Sequence, residues 1–234
     1  MTDIFNNADA VINNSQIDGW PSALEILNIV RSNVSGQVTA RVRLELRVDG
    51  QSSIANLVGF ADFMAISTID GQSTVLLNQM NSNRAVVRAI NGQSSLDAGV
   101  IYGPLEVGLV DGSSGLRATA ASISFVDKID GRSNLTLTQS HLDGSTYFGG
   151  KIDGASSVDL SCAGEVIYFN EKIDGGSALT VTTLRTDGKG LFIKGPEISG
   201  NSTLTLIGDN IFYDFGQVHY GGKIVGGTRR TYPM

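Results

Sequence analysis

The sequence predicts an all-β protein, a single right-handed parallel β-helix (solenoid) with about 20–21 residues per coil. Three observations predict it. First, a nine-residue phrase recurs: apolar residue, Asp, Gly, any residue, Ser, any residue, apolar, any residue, apolar, plainest as Ile152-Asp153-Gly154-Ala155-Ser156-Ser157-Val158-Asp159-Leu160. Second, from Gly50 its glycines fall at 71, 92, 112, 131, 154, 175 and 200, in steps of 21, 21, 20, 19, 23, 21 and 25 residues. A fixed period of this size marks a solenoid whose coils cannot bury their apolar faces alone. Third, the apolar residues of the phrase alternate at period two, the spacing of strands, and Gly with small polar neighbours marks a tight corner. Twenty-odd residues hold two or three short strands with corners, too few for strand–helix units. Coils are therefore expected to stack about 4.8 Å apart, in the right-handed sense usual for parallel crossovers.

Residues 1–47 read as an N-terminal cap merging into the first coil. A copy of the phrase starts at Ile17, but the step from Gly19 to Gly50 is 31 residues, as if about ten residues were added to that coil. Pro21 to Leu27 suits either a short helix or a motif strand. Val42 to Val48 alternates strictly, as a strand with one wet face does. Residues 48–207 are the regular β-helix. Its copies start at Val48, Ile69, Ile90 (Asn91 replacing Asp), Val110, Ile129, Ile152, Ile173 and Ile198 (Ser199 replacing Asp), and fainter echoes start at Leu142, Thr186 and Ile224. A second apolar stretch follows each motif strand, as in Val166-Ile167-Tyr168-Phe169. Residues 208–234 concentrate aromatics and close with Arg229, Arg230 and Pro233, so they read as a C-terminal cap that blocks further pairing.

Composition narrows the function. The chain has 234 residues, a formal net charge of −6, four prolines and one cysteine. It is long enough for one elongated domain without a linker. The charge balance argues against nucleic acid as a partner, and Arg41, Arg43 and Arg47 read as a solvated strand face. No run approaches the ~20 apolar residues of a membrane span. The start lacks a basic and then apolar leader, so the expected location is the cytoplasm, or outside by a route that needs no such signal. Cys162 fits a reducing compartment.

Stacking turns each motif position into a column. Parity sends Ser52, Ser73, Ser94, Ser114, Ser133, Ser156, Ser177 and Ser202 inward with Leu and Val, where hydroxyls can satisfy themselves or the corner backbone. The acids Asp49, Asp70, Asp111, Asp130, Asp153 and Asp174 form a corner ladder, the candidate ligand-binding residues. Carboxylates ~4.8 Å apart repel by roughly 1 kcal/mol in water. The favoured remedy is local: each Asp accepts from the backbone N–H two residues on and from the Ser hydroxyl three on, a role that Asn91 and Ser199 could share. The alternative is a column of cations or an acidic stripe for a ligand. No metal and no cofactor are expected. Gln51, Gln72 and Gln93 should form an amide ladder. Thr136 and Thr138, Thr180 and Thr182, and Thr203 and Thr205 give outward hydroxyl pairs, interrupted by Ser157, Asp159 and Ser161, with Thr203 two positions out of phase.

The phrase Ile152 to Leu160 resembles the repeated "I-s-G-a-S-s-v-x-l" of GIN-type adhesin-head domains, bacterial β-helices, with a looser similarity to the filament-forming bactofilins. The resemblance covers about residues 48–207 and implies a structural, adhesive module; it carries over no functional residues. No catalytic cluster emerges from the residues either: His141 and His219 are isolated, and Arg117, Arg132 and Lys151 do not recur with the acids. The expected function is a non-enzymatic β-solenoid acting as a structural or adhesive interaction module through self-association or a protein partner. The alternative is a carbohydrate-binding or carbohydrate-active β-helix, as in a surface or phage-type spike, though such enzymes need carboxylates clustered with bases in a groove. An acidic rod mimicking DNA is a third, weaker fit to −6 over 234 residues.

Overall fold

The computed structural model describes residues 9–13, 16–18, 26–30, 33–77 and 79–230. Among them every regular element is a strand, and every strand pairing is parallel. The chain is a parallel β-solenoid. Its register reproduces the repeat. Ile54, Val75, Leu96, Leu116, Leu135, Val158, Leu179 and Leu204 stand in one column, each paired with the next, at the same intervals as the motif glycines. The motif's first apolar residue forms a second column, Val110, Ile129, Ile152, Ile173 and Ile198.

Alternation decides what enters the core. In Ser157–Cys162, Val158, Leu160 and Cys162 are buried while Asp159 faces water. The column of motif serines from Ser52 to Ser202 is buried with them, as parity requires. Beyond the second corner, Phe125, Phe148 and Phe169 stack with centroids 5.1 and 4.8 Å apart and rings nearly parallel. Phe215 continues the pile at 6.0 Å, tilted. Like rings in register repeat the same packing from one coil to the next over this stretch.

Two expectations about the ends need correction. The interval from Gly19 to Gly50 is not one enlarged coil: Gln16–Asp18 pairs with Asn33–Ser35, which pairs with Ser53–Ala55. Ile17 therefore lies in the column of Ile54, out of phase with the motif. Of the possible helix, residues 21–25 lie outside the described residues, and Ile26–Val30 is a strand. At the other end Ile224 pairs with Leu204, whereas Val218 stands opposite Ile198; the echo at Ile224 is thus also out of phase. Residues 223–229 go on pairing, Lys223–Val225 on Thr203–Thr205 and Thr228–Arg229 on Phe212–Tyr213.

Candidate functional site: the acidic corner ladder

The motif places its Asp where a strand ends and its Gly where the chain turns with positive φ, as at Gly131 (74°) and Gly154 (68°). Close approach demands glycine as well: a Cβ on Gly154 would lie 2.4 Å from Asp130 Oδ1 and 2.5 Å from the Gly131 nitrogen. The corners of successive coils are thus in van der Waals contact, and their carboxylates line up along one edge.

The carboxylates are latched locally, but through other atoms than expected. Oδ1 of Asp70, Asp111, Asp130, Asp153 and Asp174 accepts from the very next backbone N–H, that of the motif glycine, at 2.6, 2.5, 2.6, 2.8 and 2.9 Å. The serine three residues on donates to the backbone carbonyl of the Asp, at 2.5 Å from Ser114 and 2.6 Å from Ser133 and Ser156. An inward hydroxyl cannot reach an outward carboxylate, so parity divides the two jobs. Asn91 and Ser199 do not reproduce the latch: Asn91 Oδ1 and Ser199 Oγ are buried without a hydrogen-bond partner. The side chain of Asp49 lies outside the described residues.

The second carboxylate oxygen is where the structure departs furthest from the sequence reading. Basic residues do recur with the acids, as Lys128, Lys151 and Lys172, each two residues before its Asp and on the same side of the strand. Lys128 Nζ is 2.7 Å from Asp130 Oδ2, and Lys172 Nζ is 2.5 Å from Asp174 Oδ2. Lys151 bonds Asp153 Oδ2 and reaches Asp174 Oδ2 on the next coil at 3.5 Å. The Lys172 ammonium, with the Gly175 N–H, holds the Asp174 carboxyl down at about 2. Asp130 is likewise held below the usual carboxylate range by Lys128 and the Gly131 N–H. Lys128 and Lys151 are raised in turn by Asp130 and Asp153. Over these three coils an alternating lattice of ammonium and carboxylate replaces the like-charge column. Among the described residues no group of three or more His, Cys, Asp or Glu is close enough to hold a metal.

Other polar residues are also engaged with one another. Gln51 Nε2 donates to Gln72 Oε1 and Gln72 Nε2 to Gln93 Oε1, both at 3.0 Å, along a shallow open groove floored by Gly50, Gly71 and Gly92. Thr205 pairs with Thr180 and Thr203 with Ala178, so the hydroxyl face is staggered as its sequence phase requires.

Two interactions had no reading in the sequence. Gln139 is fully buried; its Nε2 donates to the carbonyls of Ala121 and His141, and its Oε1 accepts from Gly164 N–H and from Cys162 Sγ. Period two, carried on from Leu135 and Leu137, would have placed it inward. Arg185, its side chain 3% exposed, grips Asp187 through Nε and Nη2, lies 3.7 Å from Glu165 and donates to the Leu142 carbonyl. It lies in the longest step of the repeat, where no periodicity applies. Beside them the Cys162 thiol is pushed up to about 11 by burial, which leaves it protonated and unreactive at neutral pH.

No family model matches the chain, and comparison with curated proteins and with solved structures likewise gives no match.

Proposed function

We propose that this protein works by contact: a stiff solenoid that serves as a structural or adhesive interaction module, presenting flat side faces of fixed spacing to itself or to a protein partner. One observation carries the reading. The polar groups that the repeat multiplies are engaged with one another, lysine with aspartate, glutamine with glutamine, serine with corner carbonyl. Groups consumed in this way stiffen the coil and are not poised as acid, base or nucleophile. The resemblance to GIN-type adhesin heads points the same way.

A second reading, carbohydrate binding, draws on the outward face of Thr136, Asp159, Thr180 and Thr205, a straight column of hydroxyls and one carboxylate. Sedimentation over a wide concentration range, combined with a glycan array, separates the two. Concentration-dependent assembly without glycan retention is the expected result. A monomer retained on defined glycans would replace the first reading with the second, and turnover of a polysaccharide would sink both.

A further inference from the structure

One corner of the ladder is left unlatched. Asn91-Gly92 is the single Asn-Gly step in the chain, and it occupies the place that Asp-Gly takes in the coils on either side. Its backbone is seated like theirs: the Asn91 N–H donates to the Ile69 carbonyl at 2.8 Å and the Gln93 N–H to the Gly71 carbonyl at 2.9 Å. Its side chain is not. Asn91 Oδ1 is buried without a hydrogen-bond partner, and among the described residues the N–H of the exposed Gly92 has none either. A buried acceptor and the donor that satisfies its counterparts thus stand one residue apart and unjoined.

The other corners show what a side chain at this position can reach. At Asp70, Asp111, Asp130, Asp153 and Asp174 the side-chain oxygen lies between 2.5 and 2.9 Å from the next glycine nitrogen. The carbon bearing that oxygen is then close to the roughly 3–3.5 Å of a near-attack pair. At those corners reaction is disfavoured twice: the nitrogen's proton is engaged, and a carboxylate, already negative, is a poor target for a nucleophile. Asn91 presents a neutral amide instead, and Gly92 has no Cβ to shield its nitrogen. We infer that Asn91 is a site of spontaneous deamidation in the folded protein, and that its corner directs the product to the aspartyl rather than the isoaspartyl form.

The Gly92 nitrogen, its proton taken by hydroxide, attacks Cγ of Asn91; the Cγ–Nδ2 bond breaks, and Nδ2 leaves as ammonia with a proton from water. The succinimide so formed is opened by water. Breaking its bond from nitrogen to Cγ gives an aspartyl residue, whereas breaking the bond to the main-chain carbon inserts Cβ into the backbone as an isoaspartyl link. The corner has no slack for that extra atom. It is bonded to the coil before through Asn91 and Gln93, and to the coil after by the Asp111 N–H on the Ile90 carbonyl at 2.9 Å and the Ser113 N–H on the Gly92 carbonyl at 2.8 Å. The aspartyl product keeps this backbone and gains the Gly92 N–H for its Oδ1, as its counterparts do. It also adds a negative charge between Asp70 and Asp111, in coils where Thr68, Ala89 and Leu109 stand in place of the lysine.

The test incubates the full chain in mildly alkaline buffer, folded and in guanidinium chloride, and follows it by tryptic peptide mapping. Asn91 is the only asparagine between Ala89 and Arg117, the ends of its tryptic peptide, and Asn91→Asp supplies the chromatographic standard for the aspartyl product. In the folded chain position 91 should convert about tenfold faster than Asn81 or Asn201, whose following serines carry a Cβ. The rate should rise with hydroxide, and the species that co-elutes with the standard should predominate. In guanidinium chloride, where no corner holds the backbone, the isoaspartyl form should predominate. A folded chain that keeps Asn91 intact, or converts it no faster than Asn81 and Asn201, overturns the site; an isoaspartyl excess in the folded chain overturns the control of product by the corner.

Discussion

Lys151 holds two carboxylates at once, Asp153 in its own coil and Asp174 in the next. Replacing it by Met leaves those acids about one coil apart with less neutralisation. Lys151→Met should therefore destabilise by about 1 kcal/mol, and the loss should shrink in 1 M salt, as the Debye length falls to about 3 Å; denaturant titrations at two ionic strengths check both. Acid acts on the same lattice. Asp174 titrates at about 2 in the folded chain, below its ordinary value of 3.8. Its contribution is thus fully present above about pH 4 and is lost as the pH falls toward 2. Melting temperature against pH should drop across that window, and Asp174→Asn should flatten the drop. At the alkaline end the raised lysines contribute below about pH 10.5 and lose that contribution as the pH climbs past it. The acids of this lattice were legible because Asp recurs in the phrase itself. The lysines were not, because they sit just before the phrase, two residues ahead of its Asp, in only three of its copies, and look like scattered bases until the coils are stacked.

At the scale of strands and corners, the motif glycines bear most of the geometric constraint. Gly154 combines a φ of 68° with a site where Cβ would meet Asp130 and Gly131 of the coil before. Gly154→Ala should therefore cost well over the ~1 kcal/mol of backbone preference alone. Gly188, with φ 75° and nothing within 4 Å of its Cβ position, isolates the backbone term, so Gly188→Ala should cost only about that ~1 kcal/mol. Chemical denaturation of the pair checks the difference. Ala155, at φ 63° one residue after Gly154, marks where a Cβ is tolerated. Strand parity was readable throughout the motif, since alternation needs only one buried face to fix it. The relative alignment of the second strands was not. Corners between the two strands differ in length from coil to coil, so no count along the sequence sets Tyr147 beside Tyr168 or Lys194 beside Asp214.

For the whole molecule, each coil bonds only to the coils before and after it, so stability is a sum of coil terms and neighbour terms. Among the described residues inner strands pair on both sides, whereas Lys223–Val225 and Thr228–Arg229 pair on one side only. Amide exchange should therefore be slowest across Asn134–Gln139, Ser157–Cys162 and Ala178–Thr183 and fastest at Lys223–Val225 and Thr228–Arg229; exchange mass spectrometry reads this directly, and uniform protection would contradict it. The winding itself was legible, because the glycine steps are the register offsets of the folded strands. The N-terminal interval was misread because Asn33–Ser35 supplies a rung with no Asp-Gly to announce it. The longest step has a further consequence. Between Thr183 and Leu191 the chain leaves the column, closes a side loop through Arg185 and Asp187, and rejoins it with Leu179 still opposite Leu204. Surplus residues are shed sideways there and the winding does not notice them, so a peptide grafted at Gly188 would be carried on the flank of the rod at a known height, like a flag on a mast.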